Sequence, residues 1–122
     1  HFQIKKPQAK FVSVVYGKIF DVVIDLRKKS KTFGKKFEII LDSKKNTSLY
    51  IPEGFAHGFK ALQDNSIMLY ACSNRRYPDL ENGIFWNDSE LKINWPNKSK
   101  NIISNKDKKN MTFNEYKKIN NF

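Results

Sequence analysis

The sequence predicts an all-β sandwich or barrel that ends in a short helical tail, on three observations. Between Phe11 and Leu26 apolar side chains recur with period two, the spacing of a strand. Short apolar runs then follow one another with turn residues between them, as in sandwiches and barrels. No stretch before Pro78 has the 3.6-residue periodicity of an amphipathic helix of useful length.

In order along the chain, Phe20, Val22, Ile24 and Leu26 share one face of a strand and Ile19, Asp21, Val23 and Asp25 the other, the pattern of a strand with one apolar face. Gly17 divides Phe11–Tyr16 from Lys18–Leu26 and predicts a tight turn or bulge between two antiparallel strands. A polar connection, residues 27–36, precedes strands at Phe37–Leu41 and Ser48–Ile51, separated by a turn at Asp42–Asn46. Pro52-Glu53-Gly54 forms the next turn, and strands are expected near Gly58–Leu62 and Ser66–Cys72. Beyond Pro78, Ile84-Phe85-Trp86 reads as one more strand, and the apolar run Leu91–Trp95 is stopped by Pro96. In the Lys- and Asn-rich tail, Thr112 caps a helical turn whose Phe113, Tyr116 and Ile119 fall near one face. The barrel is therefore assigned to residues 1–98 and a C-terminal segment to 99–122, within one domain.

Composition narrows the function classes. The chain has 122 residues, 39% of them hydrophobic, enough for one packed core and too few for two. The lone Cys72 excludes an intrachain disulfide framework and a multi-cysteine zinc site. No run approaches the roughly eighteen apolar residues of a spanning helix, and no charged-then-apolar leader opens the sequence, so a cytoplasmic protein that crosses no membrane is expected. The net charge of +11 comes from scattered lysine pairs such as Lys5-Lys6 and Lys35-Lys36, with no stripe interleaved with aromatics. That distribution argues against nucleic acid and suits a smaller polyanion such as a nucleotide diphosphate.

Two histidines exist, His1 and His57. His57 lies in Pro52-Glu53-Gly54-Phe55-Ala56-His57, a Pro-x-Gly-x-x-His turn of the kind found in cupin barrels, where such a His often binds metal. The chain offers no His-x-His pair and too few ligands for that site, so no metal is expected.

A longer pattern carries more weight. His1-Phe2-Gln3, Gln8-Ala9-Lys10, Gly17 to Val22, Asp25-Leu26-Arg27-Lys28, Ser30 to Gly34, Ile51 to Phe59 and Gly83 to Asp88 stand in an order and spacing that resembles the dTDP-4-dehydrorhamnose 3,5-epimerase family, from His1 to about Asp107. The resemblance implies a cupin-like jelly-roll barrel, metal-free and homodimeric. It also implies an isomerase that inverts C3 and/or C5 of a nucleotide-linked 4-keto-6-deoxy sugar without a cofactor, for bacterial surface polysaccharide. Removing a proton beside the ketone places charge on the C4 oxygen, so a base, an oxyanion partner and an acid on the other ring face are needed.

Carried over by position, the base is His1, with a reference pKa near 6.5. Asp107, in Ser104-Asn105-Lys106-Asp107, orients it. Lys10 steadies the enolate, and Tyr70 returns the proton. His57 and Gln3 line the substrate site. The match departs at Ser73-Asn74-Arg75-Arg76-Tyr77-Pro78, where the family commonly has two adjacent tyrosines at the positions of Arg75 and Arg76. Guanidinium groups there grip phosphate or carboxylate instead, which leaves the base open among dTDP, GDP and CDP and the sugar open between hexose and heptose. The alternative reading is a non-catalytic sugar-nucleotide-binding barrel or partner subunit of the same fold.

Overall fold

The computed structural model describes residues 1–119 and residue 122. Its strands are β1 (Phe2–Gln3), β2 (Lys10–Tyr16), β3 (Lys18–Asp25), β4 (Lys36–Asp42), β5 (Ser48–Ile51), β6 (Phe55–Ala61), β7 (Ile67–Cys72) and β8 (Glu81–Asn82), and one helix follows, α1 (Phe113–Lys118). They form two three-stranded antiparallel sheets, β5-β2-β7 and β4-β3-β6, and a small β1-β8 pair. Val12, Val14 and Ile51 from the first sheet and Ile19, Val23 and Leu41 from the second share one buried cluster, so the sheets face each other across it. This is the all-β, cupin-like arrangement expected.

Two expectations need correction. Gly17 does not make a hairpin: β2 and β3 belong to different sheets, and Gly17 is the corner at which the chain passes between them. Its φ is +81°, and a Cβ there would lie 2.4 Å from Ser66 Oγ, so the corner needs a residue with no side chain. Nor is Ile84-Phe85-Trp86 a strand. Ile84 makes a single bridge to Met111, Phe85 N donates to Met111 O at 2.7 Å, and Trp86 O accepts from Trp95 Nε1 at 2.6 Å. Its backbone is satisfied by the tail and by a side chain instead of by a sheet neighbour.

The faces of β3 are both buried, although a single apolar face was expected. Phe20, Val22 and Ile24 pack into a second cluster with Phe2, Ile84, Leu91, Ile93, Phe113 and Tyr116, so the chain beyond β8 covers the outer side of sheet β4-β3-β6. Asp21 and Asp25 are buried on the other side because each has a partner, His57 and Arg27 respectively. The tail helix forms where Thr112 predicts it, with a complete Thr112–Glu115 capping box. Phe113 and Tyr116 are its buried face, and Tyr116 Oη donates to Leu26 O at 2.8 Å; Ile119 stands at the C-cap, partly exposed.

Candidate functional site

A cavity of about 1190 Å³ opens between the sheets and is lined by His1, Lys10, His57, Tyr70, Glu81 and Asp107 among others. Its walls come from both sheets. His1 is held against β6 by two main-chain hydrogen bonds, His57 N to His1 O at 3.0 Å and His1 N to His57 O at 2.9 Å. Lys10 and Tyr70 arrive from β2 and β7, where the register sets Lys10 opposite Cys72 and Val12 opposite Tyr70. Alternation then points Lys10 and Tyr70 to the same face as core residue Val12.

The histidine at the start of the chain meets the aspartate of the tail. His1 Nε2 lies 2.5 Å from Asp107 Oδ1. A carboxylate can only accept, so Nε2 donates to it, and in the neutral ring Nδ1 is then the nitrogen with the lone pair. Burial raises the Asp107 carboxyl, but the His1 and Ser104 hydrogen bonds outweigh it and hold the group below its ordinary range, hence ionised. Ser104 Oγ accepts from Asp107 N at 3.1 Å and fixes the turn that presents the carboxylate.

Glu81 is the residue that sequence reasoning missed at this end of the cavity. Its carboxylate accepts from Arg76 Nε and Nη2 at 3.1 and 2.8 Å, pairs with Lys106, and stands 3.7 Å from His1 Nδ1. The Arg76 guanidinium is the main reason that its pKa is pushed down to about 2. A proton arriving on Nδ1 therefore meets a fixed negative charge. Nothing local in Pro78-Asp79-Leu80-Glu81 signals this, because the contact depends on β8 pairing with β1, which sets Glu81 opposite Gln3.

The second unsignalled residue is Asp21. His57 Nε2 lies 2.8 Å from Asp21 Oδ2, both groups are buried, and Asp21 Oδ1 has no hydrogen-bond partner. The available signal was an acid flanked by apolar residues, in Ile19-Phe20-Asp21-Val22-Val23, where an unpaired carboxylate would be costly. Lys10 is also drawn inward, and burial lowers its pKa, opposed by the charges of Cys72, Glu81 and Asp21.

Of the eight residues singled out from sequence, seven line this cavity: His1, Lys10, His57, Tyr70, Arg75, Arg76 and Asp107. Gln3 does not. It is 4% exposed, its Nε2 donates to Lys6 O at 2.9 Å and its Oε1 accepts from Tyr77 N at 2.8 Å, so both polar ends are satisfied within the protein. Tyr70 lines the cavity and is about half-exposed. Among the described residues no group of three or more His, Cys, Asp or Glu side chains is gathered as a metal site. Among the described residues no helix is long and apolar enough to cross a membrane.

With a base-type His–Asp pair, a desolvated ammonium and a phenol around one cavity, the arrangement can remove a proton, receive negative charge and return a proton. Comparison with known proteins leads to the same place. The family model for dTDP-4-dehydrorhamnose 3,5-epimerase matches residues 1–115. The dTDP-4-dehydrorhamnose 3,5-epimerase of Methanothermobacter thermautotrophicus is 46% identical over 110 residues, covering 88% of this chain and 60% of that protein. The crystal structure of a dTDP-6-deoxy-D-glucose-3,5-epimerase from Legionella pneumophila in complex with dTDP-4-keto-L-rhamnose superposes with a TM-score of 0.89 at 36% identity, over 93% of this chain and 60% of that one. The dTDP-4-dehydrorhamnose 3,5-epimerase of Bacillus anthracis, crystallised with TDP and PPi bound, gives 0.87 at 40% identity, over 91% and 63%. The chain thus spans about three fifths of the length of these relatives. A match this long and this similar, across the segments that build the cavity, makes the chain a member of the dTDP-4-dehydrorhamnose 3,5-epimerase family.

Proposed function

We propose that the full-length protein is an isomerase that epimerises C3 and/or C5 of a nucleotide-linked 4-keto-6-deoxy sugar. The observation that carries this is the His1–Asp107 pair, formed between opposite ends of the chain at the cavity wall. His1 Nδ1 removes the proton beside the ketone, and Asp107 holds the ring through Nε2. Lys10 meets the enolate oxygen, an interaction of the oxyanion-hole type whose loss typically costs about 10²–10³-fold in rate. Tyr70 reprotonates from the other side, since it stands on the sheet facing the one that holds His1. The sequence of steps is proton off, charge on oxygen, proton on, and it requires no cofactor. In D₂O the protein is expected to place solvent deuterium on a carbon next to the ketone. Tight binding without exchange would favour the non-catalytic barrel. A nucleotide-sugar substrate also places the work in the cytoplasm, with products fed to bacterial surface polysaccharide.

The protein acts as a homodimer in this reading. The outward face of sheet β5-β2-β7 exposes Phe11, Val15, Tyr50 and Leu69, each more than half exposed, and carries no charged side chain; Ser13 and Ser48 satisfy each other at 2.6 Å. A contiguous apolar sheet face is unusual on a monomer and suits a second copy stacked on it. Leu69→Lys is expected to change the sedimenting species of the full-length protein from two chains to one. An unchanged dimer mass would move the interface elsewhere.

A further inference from the structure

The nucleotide-sugar reading leaves open which residue of this chain takes the anionic part of the substrate, and the cavity answers by elimination among the described residues. Six cations line it: Lys10, Lys60, Arg75, Arg76, Lys100 and Lys106. Arg76 and Lys106 are both committed to Glu81. Lys60 donates to Pro96 O at 2.5 Å and to Asn97 O at 3.2 Å, tying down the C-terminal segment. Lys10 is drawn inward, where burial lowers its pKa, and in the proposed mechanism it is used on the ketone oxygen. Arg75 and Lys100 remain, and neither has an ion pair among the described residues.

These two differ in how well they are fixed. The Arg75 guanidinium carbon lies 4.7 Å from the centre of the Tyr77 ring, so the ring face supports the charge while the edge N–H groups stay unspent. The ring is itself anchored. Tyr77 N donates to Gln3 Oε1 at 2.8 Å, and Lys6 Nζ donates to Tyr77 Oη at 3.3 Å while standing 4.7 Å from the same ring. Lys100 sits in an exposed single turn, Lys98–Lys100, with a flexible stem and a point charge. A planar, pre-oriented fork matches phosphate oxygens in pairs and loses less entropy on binding.

We propose that Arg75, and not its neighbour Arg76, is the residue that binds the diphosphate of the substrate, with Arg76 serving as an internal counter-ion for Glu81. This inference rests on the nucleotide-sugar reading of the same cavity and assigns separate roles to two adjacent arginines. Gln3, through its bond to Tyr77 N, supports the arginine from outside the cavity.

The test is calorimetric titration of the full-length protein and two variants with inorganic pyrophosphate and with TDP. Arg75→Ala is expected to weaken both ligands by about 10- to 100-fold, the range for lost charge-assisted hydrogen bonds, with no change in thermal midpoint. Arg76→Met is expected to weaken them by less than about 3-fold. Equal affinity of wild type and Arg75→Ala, an equal loss in both variants, or no pyrophosphate binding by the wild type would each overturn the assignment. Deuterium entry into a 4-keto sugar, followed separately on the wild type, keeps the two claims apart. Exchange with Arg75-independent binding sinks this inference alone, whereas Arg75-dependent binding without exchange sinks the epimerase reading alone.

Discussion

Replacing His1 by Asn in the full-length protein is expected to abolish deuterium entry at both carbons flanking the ketone, while Tyr70→Phe leaves part of that exchange intact. The difference follows from order. Abstraction by His1 precedes every later event, and a positioned general base contributes about 10²–10⁴-fold in rate. Asparagine keeps a polar group near Asp107 and Glu81 but has no lone pair basic enough to accept a carbon-bound proton. Removing the Tyr70 hydroxyl blocks delivery from the sheet opposite, after the enolate has formed, so protons can still leave and return on the His1 side. Asp107→Asn should fall between the two, because it keeps a hydrogen-bonding group beside Nε2 but removes the charge that fixes the tautomer. Site-resolved proton NMR measures all three. Complete and equal loss of exchange in His1→Asn and Tyr70→Phe would contradict this division of labour.

The second large effect is on stability, at Asp25. This carboxylate is 1% exposed and is the hub of the connection between β3 and β4. Arg27 Nε and Nη2 reach it at 2.9 and 2.8 Å, Ser30 Oγ and Thr32 Oγ1 donate at 2.6 Å each, and Arg27 N donates at 3.0 Å. Burial alone would raise its pKa, but these donors more than offset it and hold the group well below the usual carboxylate range. Asp25→Ala strands the hydroxyls and the backbone N–H and leaves the partly exposed Arg27 without its anion, and is expected to cost about 2–3 kcal/mol. At about 3 °C per kcal/mol, the thermal midpoint should fall by roughly 6–9 °C.

The sign of the accompanying pH dependence is fixed by the depressed pKa. The stabilisation is complete above the unfolded-chain value of 3.8 and is lost as pH falls below it, through the folded value. Wild-type stability should therefore drop steeply in that acid window, whereas the Asp25→Ala protein should show a shallower slope there. Parallel acid limbs in the two proteins would show that Asp25 is not the group that titrates.

Strand positions were legible because period two runs through Lys10–Tyr16, because turn residues bound the short runs Ser48–Ile51 and Ile67–Cys72 whatever they pair with, and because Thr112 and Glu115 cap their helix through purely local contacts. Sheet membership was not legible. Gly17 marks a break equally well for a hairpin and for a corner between sheets, and the choice depends on Ser66, nearly fifty residues away. Ile84–Trp86 has strand composition, but its backbone bonds go to Met111 and to the Trp95 side chain, so tertiary context overrode its propensity. At the site, Asp107 in a Lys-rich tail carries no local sign of its meeting with His1 and was reached through the family resemblance. Glu81 and Asp21 were missed because their importance lies in partners supplied by other strands, His1 and Arg76 for one, His57 for the other. Arg75 and Arg76 look equivalent in sequence, and only the position of Glu81 and Tyr77 separates them.

The central claim is that this cavity exchanges a carbon-bound proton next to a ketone. Proton NMR in D₂O of the full-length protein with TDP-, GDP- and CDP-linked 4-keto-6-deoxy sugars tests it most directly. The account predicts that the C3 or C5 proton signal, or both, disappears from at least one panel member at a rate proportional to protein concentration. Undiminished C3 and C5 signals in every panel member, under conditions where the nucleotide sugar is bound, would contradict it.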